Sequence, residues 1–379
     1  MKKKTLTRIR LVILAVFIVF ITYSAYMHQQ KGGGPEGAPS IHALCPYGGL
    51  ESLYTLITTG SLMSKIFTGT MVLFIVVTVI AVLFRRGFCG WICPFGGIQE
   101  LLARLGKKIM KKNLVMPSAA DKILRYAKYA VLAVTAVFAW VTASVWMSPY
   151  DPWAAYGHLT EGLAAVWAEY PVGLILLAVT FAGSFFYDRF FCKYLCPMGA
   201  FLGIVSKVSP FKIKRDEDTC INCGLCTKAC PVNIPVADLE SVGSAECINC
   251  QECTGICPKK GALTNRYAFA PSKPVAPILL GAAVLVVYLG GIGISKLSGV
   301  YAVLPPAVEN TEQQTITDSE ELKGYMSLDE FSSLTGLPLS EVYQRMGIPE
   351  DVPPETKSKD LPGLIPDFDL HEAKEKLFE

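Results

Sequence analysis

CINCGLCTKACP at residues 220–231 and CINCQECTGICP at residues 247–258 decide how this chain is read. Both runs have the form Cys-x2-Cys-x2-Cys-x3-Cys-Pro. Three thiolates spaced two residues apart on a tight loop hold three corners of an iron–sulfur cubane. In two-cluster modules the fourth ligand is the distant Cys of the other run. The spacing therefore predicts Cys220, Cys223, Cys226 and Cys257 around one [4Fe-4S] cluster, and Cys247, Cys250, Cys253 and Cys230 around a second. Structural zinc, which favours two separated pairs over four crowded cysteines, is the weaker alternative. Ile221, Val232, Ile234, Ile248 and Ile256 are expected to keep water away, and burial together with amide hydrogen bonds to sulfur tunes potential.

Outward from this module the chain is apolar. Hydrophobic residues make up 51% and charged residues 18% of 379, and the mean hydropathy is +0.39. Runs long enough to cross roughly 30 Å of hydrocarbon occur at 11–27, 66–84, 126–147, 171–187 and 275–295. The first follows MKKKTLTRIR without a small-residue cleavage site, so it reads as an uncleaved anchor. The predicted fold class is an α-helical membrane protein of about five transmembrane helices, with an inserted α+β two-cluster ferredoxin-like module and a small helical C-terminal appendage. The domain boundaries are 1–210, 211–270, 271–298 and 299–379. The net charge of +3 is segregated, and the basic residues flank apolar runs instead of forming a patch with base-stacking aromatics, so nucleic acid is not an expected partner.

Lys and Arg set the expected orientation. Arg85, Arg86, Arg104, Lys107, Lys108, Lys111, Lys112 and Lys122 lie between the second and third spans, whereas 148–170 has neither residue type. With the basic N-terminus inside, 85–125 and 188–274 fall in the cytoplasm; 28–65, 148–170 and 296–379 fall outside. The chain is then a multi-pass cell-membrane protein with a cytoplasmic ferredoxin module and an extracytoplasmic C-terminus. Over 301–379 there are 17 Asp plus Glu against 6 Lys plus Arg. Within that acidic segment Ser327 should cap LDEFSSLTG and Ser340 should cap EVYQRMG, each stopped by Gly. Phe331, Leu334, Leu337, Val342 and Met346 would supply a miniature core; otherwise the segment is a solvated tail.

An internal repeat underlies the membrane part. FCGWICPFGG (88–97) and FCKYLCPMGA (191–200) align without gaps, and LCPYGGLESL (44–53) echoes them. Cys89 with Cys93, and Cys192 with Cys196, would share a face if each pair sat on one helical turn. Pro94 and Pro197 suit the first turn of a following helix. These candidate redox or metal thiols would form a further metal or Fe–S site, a thiol relay, or a packed helix junction, since buried Cys also packs as a small hydrophobe. Cys45 has no partner cysteine on the outer side and reads either as a buried thiol in a short helix beginning at Pro46 or as a functional thiol. The outer loop SPYDPWAAYGHLTEG offers Asp151, His158 and Glu161 for a quinone headgroup; interface anchoring by its aromatics is the plainer reading. His28, His42, His158 and His371 lie outside the spans, which argues against paired axial haem ligation. No Cys-x-x-Cys-His and no strand-linked Gly-x-Gly-x-x-Gly occurs.

The two Cys-x3-Cys-Pro motifs after membrane helices, joined to tandem ferredoxin runs, resemble the NapH-, NosR- and CcoG-type membrane polyferredoxins over residues 40–265. The acidic C-terminal segment departs from the simpler NapH-type pattern, and a NosR-type flavin-attachment signature is missing. The resemblance implies a lipid-embedded iron–sulfur subunit, of the quinol dehydrogenase kind, passing electrons between a quinol pool or cytoplasmic donor and a respiratory or maturation partner among other redox subunits. Rival readings are a metal (copper) reductase or cofactor-assembly factor, with the Cys-x3-Cys-Pro thiols binding the metal, and a redox sensor acting through the C-terminal appendage.

Overall fold

A computed structural model describes residues 3–63, 66–112, 114–305, 322, 324, 326–365 and 368–378. Long apolar helices form where the sequence is continuously apolar: α1 (Lys3–Lys31), α4 (Thr68–Phe84), α7 (Ser118–Thr142), α10 (Pro171–Phe186) and α15 (Pro277–Leu297). Between the first two lie the short α2 (Pro46–Glu51) and α3 (Leu53–Thr59). Each expected run is thus helical, but the expected count of five spans is not reached by length. Three helices, α1, α7 and α15, are long and apolar enough to cross a membrane. A fourth arises if α9 (Leu163–Glu169) and α10, bent by 118° at Tyr170–Pro171, count as one broken span. The 17 residues of α4 give only about 26 Å at 1.5 Å per residue. It stops where Arg85 takes a positive φ of 56°. The bounds also shift: α1 begins inside the basic leader and carries His28 on its last turn, not beyond it, and α7 ends before Trp146.

The repeat takes one backbone form twice. Cys89 sits in α5 (Gly87–Trp91) and Cys192 in α11 (Phe190–Tyr194). Each short helix breaks, and Cys93 and Cys196 become the N-caps of α6 (Pro94–Met110) and α12 (Pro197–Val205). The amides of Ile92 and Cys93 both donate to the Phe88 carbonyl; those of Leu195 and Cys196 both donate to Phe191. The expected single helical turn is therefore corrected. A residue before proline avoids the α region, so the second cysteine leaves the helix, while Pro94 and Pro197 open the next one as expected.

The cysteine-rich module carries a four-stranded antiparallel sheet, ordered β2 (Ser241–Val242), β1 (Phe211–Arg215), β3 (Leu263–Tyr267) and β4 (Ala270–Val275). In β1 the FKIKR alternation buries Phe211 and Ile213 and exposes Lys212 and Lys214, and Ile213 pairs with Asn265 and Val242. Period-two alternation of this kind packs one face of a strand on a core. The helices α13 (Leu225–Lys228) and α14 (Glu252–Ile256) follow the second cysteine of each run. Between α7 and α9, the helix α8 (Pro152–His158) is capped by Asp151.

By its own contacts the chain divides into Met1–Tyr26 with Pro39–Val303, and Met27–Ala38 with Leu304–Glu379. The second unit contains α16 (Leu328–Thr335), α17 (Leu339–Met346), α18 (Leu361–Leu364) and α19 (Leu370–Glu375). Ser327 and Glu330 form a full capping box, and Gly336 ends α16 at φ 73°. Pro338, not Ser340, is the N-cap of α17. A core is present: Phe331, Val342 and Met346 are buried with Leu328, Tyr343 and Leu361, and Leu337 packs against them. Residues 306–321 and the side chain of His371 lie outside the described residues.

Candidate metal centre

The eight ferredoxin-run cysteines line two hollows. One is bounded by Cys220, Cys223, Cys226 and Cys257, the other by Cys230, Cys247, Cys250 and Cys253. The loops curl because equivalent residues adopt left-handed backbone: Asn222 and Gly224 in the first run, Asn249 and Gln251 in the second. Asn and Gly visit that region readily. Gln251 is held there by its side chain, which donates to Asn249 Oδ1 and accepts from Thr254 Oγ1 at 2.9 Å.

The two hollows differ in exposure. Cys223 is open to solvent and Cys220 and Cys257 are half-buried, whereas Cys247, Cys250 and Cys253 are all buried. A backbone amide at Asn222 and then Arg215 pull the Cys220 thiol below its ordinary value. Burial pushes Cys250 up to about 12 and Cys230 up to about 11. The buried thiols therefore lose their protons only in exchange for a bound cation, which is how metal binding couples to protonation.

The buried hollow lies against the helix break that carries Cys89. The Trp91 indole donates to the Asn249 carbonyl at 2.9 Å, and Asn249 Nδ2 donates to the Phe84 carbonyl at 2.8 Å. A Cβ at Gly90 would stand 2.2 Å from the Ile248 carbonyl oxygen, so only glycine permits this approach. Arg85 donates to the Gly243 and Ser244 carbonyls at 2.7 Å each. Arg10 donates to the Gly90 carbonyl at 3.2 Å and pairs with Glu252 at 2.9 Å.

All four Cys-x3-Cys-Pro thiols converge. Each of Cys93, Cys192 and Cys196 is driven up first by burial, and each feels Cys89 electrostatically. Gln99 Nε2 donates to Cys192 Sγ and the Gly199 amide to Cys196 Sγ, both at 3.2 Å. Among the described residues, no three cysteine sulfurs lie within 4.8 Å of one another. A single tetrahedral zinc, with Zn–S near 2.3 Å, would draw its sulfurs to about 3.8 Å. The cysteine sets are thus wider than a mononuclear site and fit a larger group.

Charge gives an independent test of that fit. Arg10, Arg85, Arg86, Lys128, Arg189 and Lys193 are buried, against Glu51, Glu100, Asp121 and Glu246, among the described residues. Buried charge is tolerated when compensated, and the cations outnumber the carboxylates by two. The Nε groups of Arg10, Arg85, Arg86 and Arg189 have no partner among the described residues. Thiolate ligands of a bound metal group would supply the missing negative charge. Arg85 and Arg86 entered the sequence reading only as signals of orientation, and Arg10, Arg189, Gln99, Glu100 and Glu246 were not singled out there. The available signal was the repeat itself, in which Arg86 and Arg189 stand three residues before Cys89 and Cys192.

The remaining candidates separate. The short helix does begin at Pro46, but Cys45 is its N-cap residue and is half-buried, not buried as expected. Asp151 turns inward to cap α8, accepting from the Trp153 amide at 2.9 Å, and burial pushes its carboxyl up to about 6. His158 instead meets Glu161 at 3.1 Å and joins a cluster with Glu169. Asp151 is not part of that cluster. His42 Nε2 meets Ser148 Oγ at 3.0 Å.

A 4Fe-4S binding domain model matches residues 66–113 and 170–216, and a 4Fe-4S dicluster domain model matches 212–262. The chain is 32% identical to the "Putative electron transport protein YccM" of Escherichia coli, over 74% of this chain and 78% of that protein. It is 31% identical to the regulatory protein NosR of Pseudomonas aeruginosa over 44% of this chain and 24% of that one. Against the ferredoxin-type protein NapH of Haemophilus influenzae the identity is 29%, over 46% and 59%. No solved structure matches.

Proposed function

Because the chain belongs to the ferredoxin-type 4Fe-4S membrane proteins, we propose that it relays single electrons inward from an exposed cluster, through a buried one, to a centre at the Cys-x3-Cys-Pro thiols. Cys220, Cys223, Cys226 and Cys257 hold the exposed cluster; Cys247, Cys250, Cys253 and Cys230 hold the buried one. Cys89, Cys93, Cys192 and Cys196 hold the third centre. Bound iron–sulfur groups supply the one-electron chemistry. The protein's residues exclude water, donate to sulfur and offset charge, and these are the levers that set such potentials.

The observation that carries this reading is the asymmetry between the hollows. One opens at Cys223, and the other is packed at its 248–249 loop against Trp91 and Gly90 beside Cys89, with Cys247, Cys250 and Cys253 buried. Electrons entering from a soluble donor would reach the first set; those exchanged with a membrane quinol would pass through the third. The module faces the cytoplasm in this proposal, supported by the one-sided placement of Lys and Arg. Direct binding of one copper ion by three or more of these thiols is disfavoured by their separation.

Iron counting and low-temperature EPR on the purified full chain test the proposal. Three cubanes give about twelve irons per chain and two give about eight. Cys223→Ser should cost one centre and block reduction by a soluble donor. Cys89→Ser should spare that reduction yet stop electron exchange with a short-chain quinol. Cluster reduction by donor and quinol that is unchanged in both variants would overturn the relay.

A further inference from the structure

Building on the four-thiol centre proposed above, we infer that Arg86 and Arg189, each reaching from its own repeat into the other, supply the positive charge that sets the reduction potential of that centre. Arg86 precedes Cys89, yet its Nη2 lies 3.5 Å from the Cys192 carbonyl oxygen and donates to it. Arg189 precedes Cys192, yet its Nη1 donates to the Cys89 carbonyl at 2.5 Å. The exchange is reciprocal, as expected where two copies of one motif face each other across a pseudo-two-fold axis.

The glycines of the repeat make room for it. A Cβ at Gly96 would stand 2.3 Å from Arg189 Nη1, and one at Gly199 would stand 2.7 Å from Arg86 Nη2. Each arginine therefore lies over the first turn of the helix that the opposite motif opens. Both side chains are sealed from solvent, at 1% and 0% exposure, and both keep an Nε–H without a partner among the described residues. A buried N–H without an acceptor is costly, and more so on a charged group. That orphaned donor, on guanidiniums that feel these thiols electrostatically (Cys89, Cys192 and Cys196 at Arg86, Cys192 at Arg189), marks a place for an anionic acceptor. Glu246 and Glu100 anchor the outer ends, at 3.3 Å from Arg86 and 2.9 Å from Arg189. Glu100 is shared with Arg10 and Arg104, and Glu246 with Lys128. Neither carboxylate therefore neutralises its arginine fully. Residual positive charge within a low-dielectric site favours the more negative, reduced state of whatever the thiols hold.

The test uses the full chain in lipid nanodiscs, redox-titrated with EPR detection and iron counting, as parent, Arg189→Gln, Arg189→Lys, Arg86→Gln and Arg86→Lys. Each glutamine variant should keep its iron and lower the reduced-to-oxidised ratio of the third centre at least tenfold at fixed ambient potential. That is about 59 mV for a one-electron couple. Each lysine variant should stay within threefold of the parent, because it keeps the charge and loses only the fork. Loss of the third signal in glutamine but not lysine variants also supports the charge role. A third centre that titrates like the parent in both glutamine variants overturns it, as does equal loss of iron in glutamine and lysine variants, which would leave the arginines as staples. About eight irons and no third signal in the unmutated chain would remove the centre itself, and that failure is visible before any substitution.

Discussion

Glu100→Gln isolates one electrostatic knot at the repeat. The Glu100 carboxylate accepts from Arg10 Nη1 at 2.8 Å, from Arg189 Nη2 at 2.9 Å and from Arg104 Nη2 at 2.9 Å. Its side chain is 4% exposed, as against 38% for Arg104. Burial alone would push this carboxyl up, but Arg10 and Arg189 hold it well below the usual carboxylate range. Glutamine keeps the shape, removes the charge and turns one acceptor into a donor facing a guanidinium. Breaking a buried pair by neutralising one partner costs about 3–5 kcal/mol. Arg104→Gln removes only a partly exposed partner and should cost about 0–1 kcal/mol. Apparent Tm of the purified chain, followed by size exclusion after heating, should therefore fall by many degrees in Glu100→Gln and scarcely in Arg104→Gln. The pH dependence has a definite sign. A depressed carboxyl contributes stability that is present above its unfolded value, near 4.3, and is lost as pH falls below it. The gap between parent and Glu100→Gln should stay constant from pH 8 to 5 and narrow under pH 4. Equal Tm in parent and Glu100→Gln, or equal damage from the two variants, would refute the reasoning.

Glu51 behaves in the opposite sense. Burial, helped by Asp151, pushes its carboxyl up to about 8, so the folded state keeps a proton that the unfolded chain has released by pH 5. That costs about 1.4 kcal/mol per pH unit as pH rises toward 8, and Glu51→Gln should raise apparent Tm at pH 8 and converge on the parent near pH 4.5. Gly90→Ala places a methyl 2.2 Å from the Ile248 carbonyl oxygen and should loosen the 247–253 loop, lowering iron content. Gly293→Ala, with nothing within 4 Å, should leave iron unchanged, and the comparison is read by iron assay. Ser327→Ala removes the hydroxyl that accepts from the Glu330 amide at 3.1 Å. It should cost about 1 kcal/mol, seen as faster amide exchange over 328–335 with no change in iron.

Local rules read well where function is local. The eight ferredoxin cysteines need only a tight loop, and the two sets grouped from spacing are the sets that line the two hollows. The capping box at Ser327 was equally plain, because Ser-x-x-Glu satisfies two amides within one turn. Two proline signals override helical periodicity here. The prolines after Cys93 and Cys196 already forbade a continuous helix, and Pro338 already took the place at which Ser340 was expected to cap. The length of an apolar run did not reveal where its helix breaks, as Arg85 and Tyr170 show.

The sequence by itself determined the chemistry: which thiols are spaced to hold iron–sulfur groups, and that apolar helices carry them. Tertiary structure alone decided which hollow packs against the helix break at Cys89, because that rests on Trp91 meeting Asn249 across 158 positions. It also decided that Arg86 and Arg189 change places between the repeats. Spacing along a chain sets which groups a loop can offer, whereas burial and charge at a site depend on what distant segments bring against it.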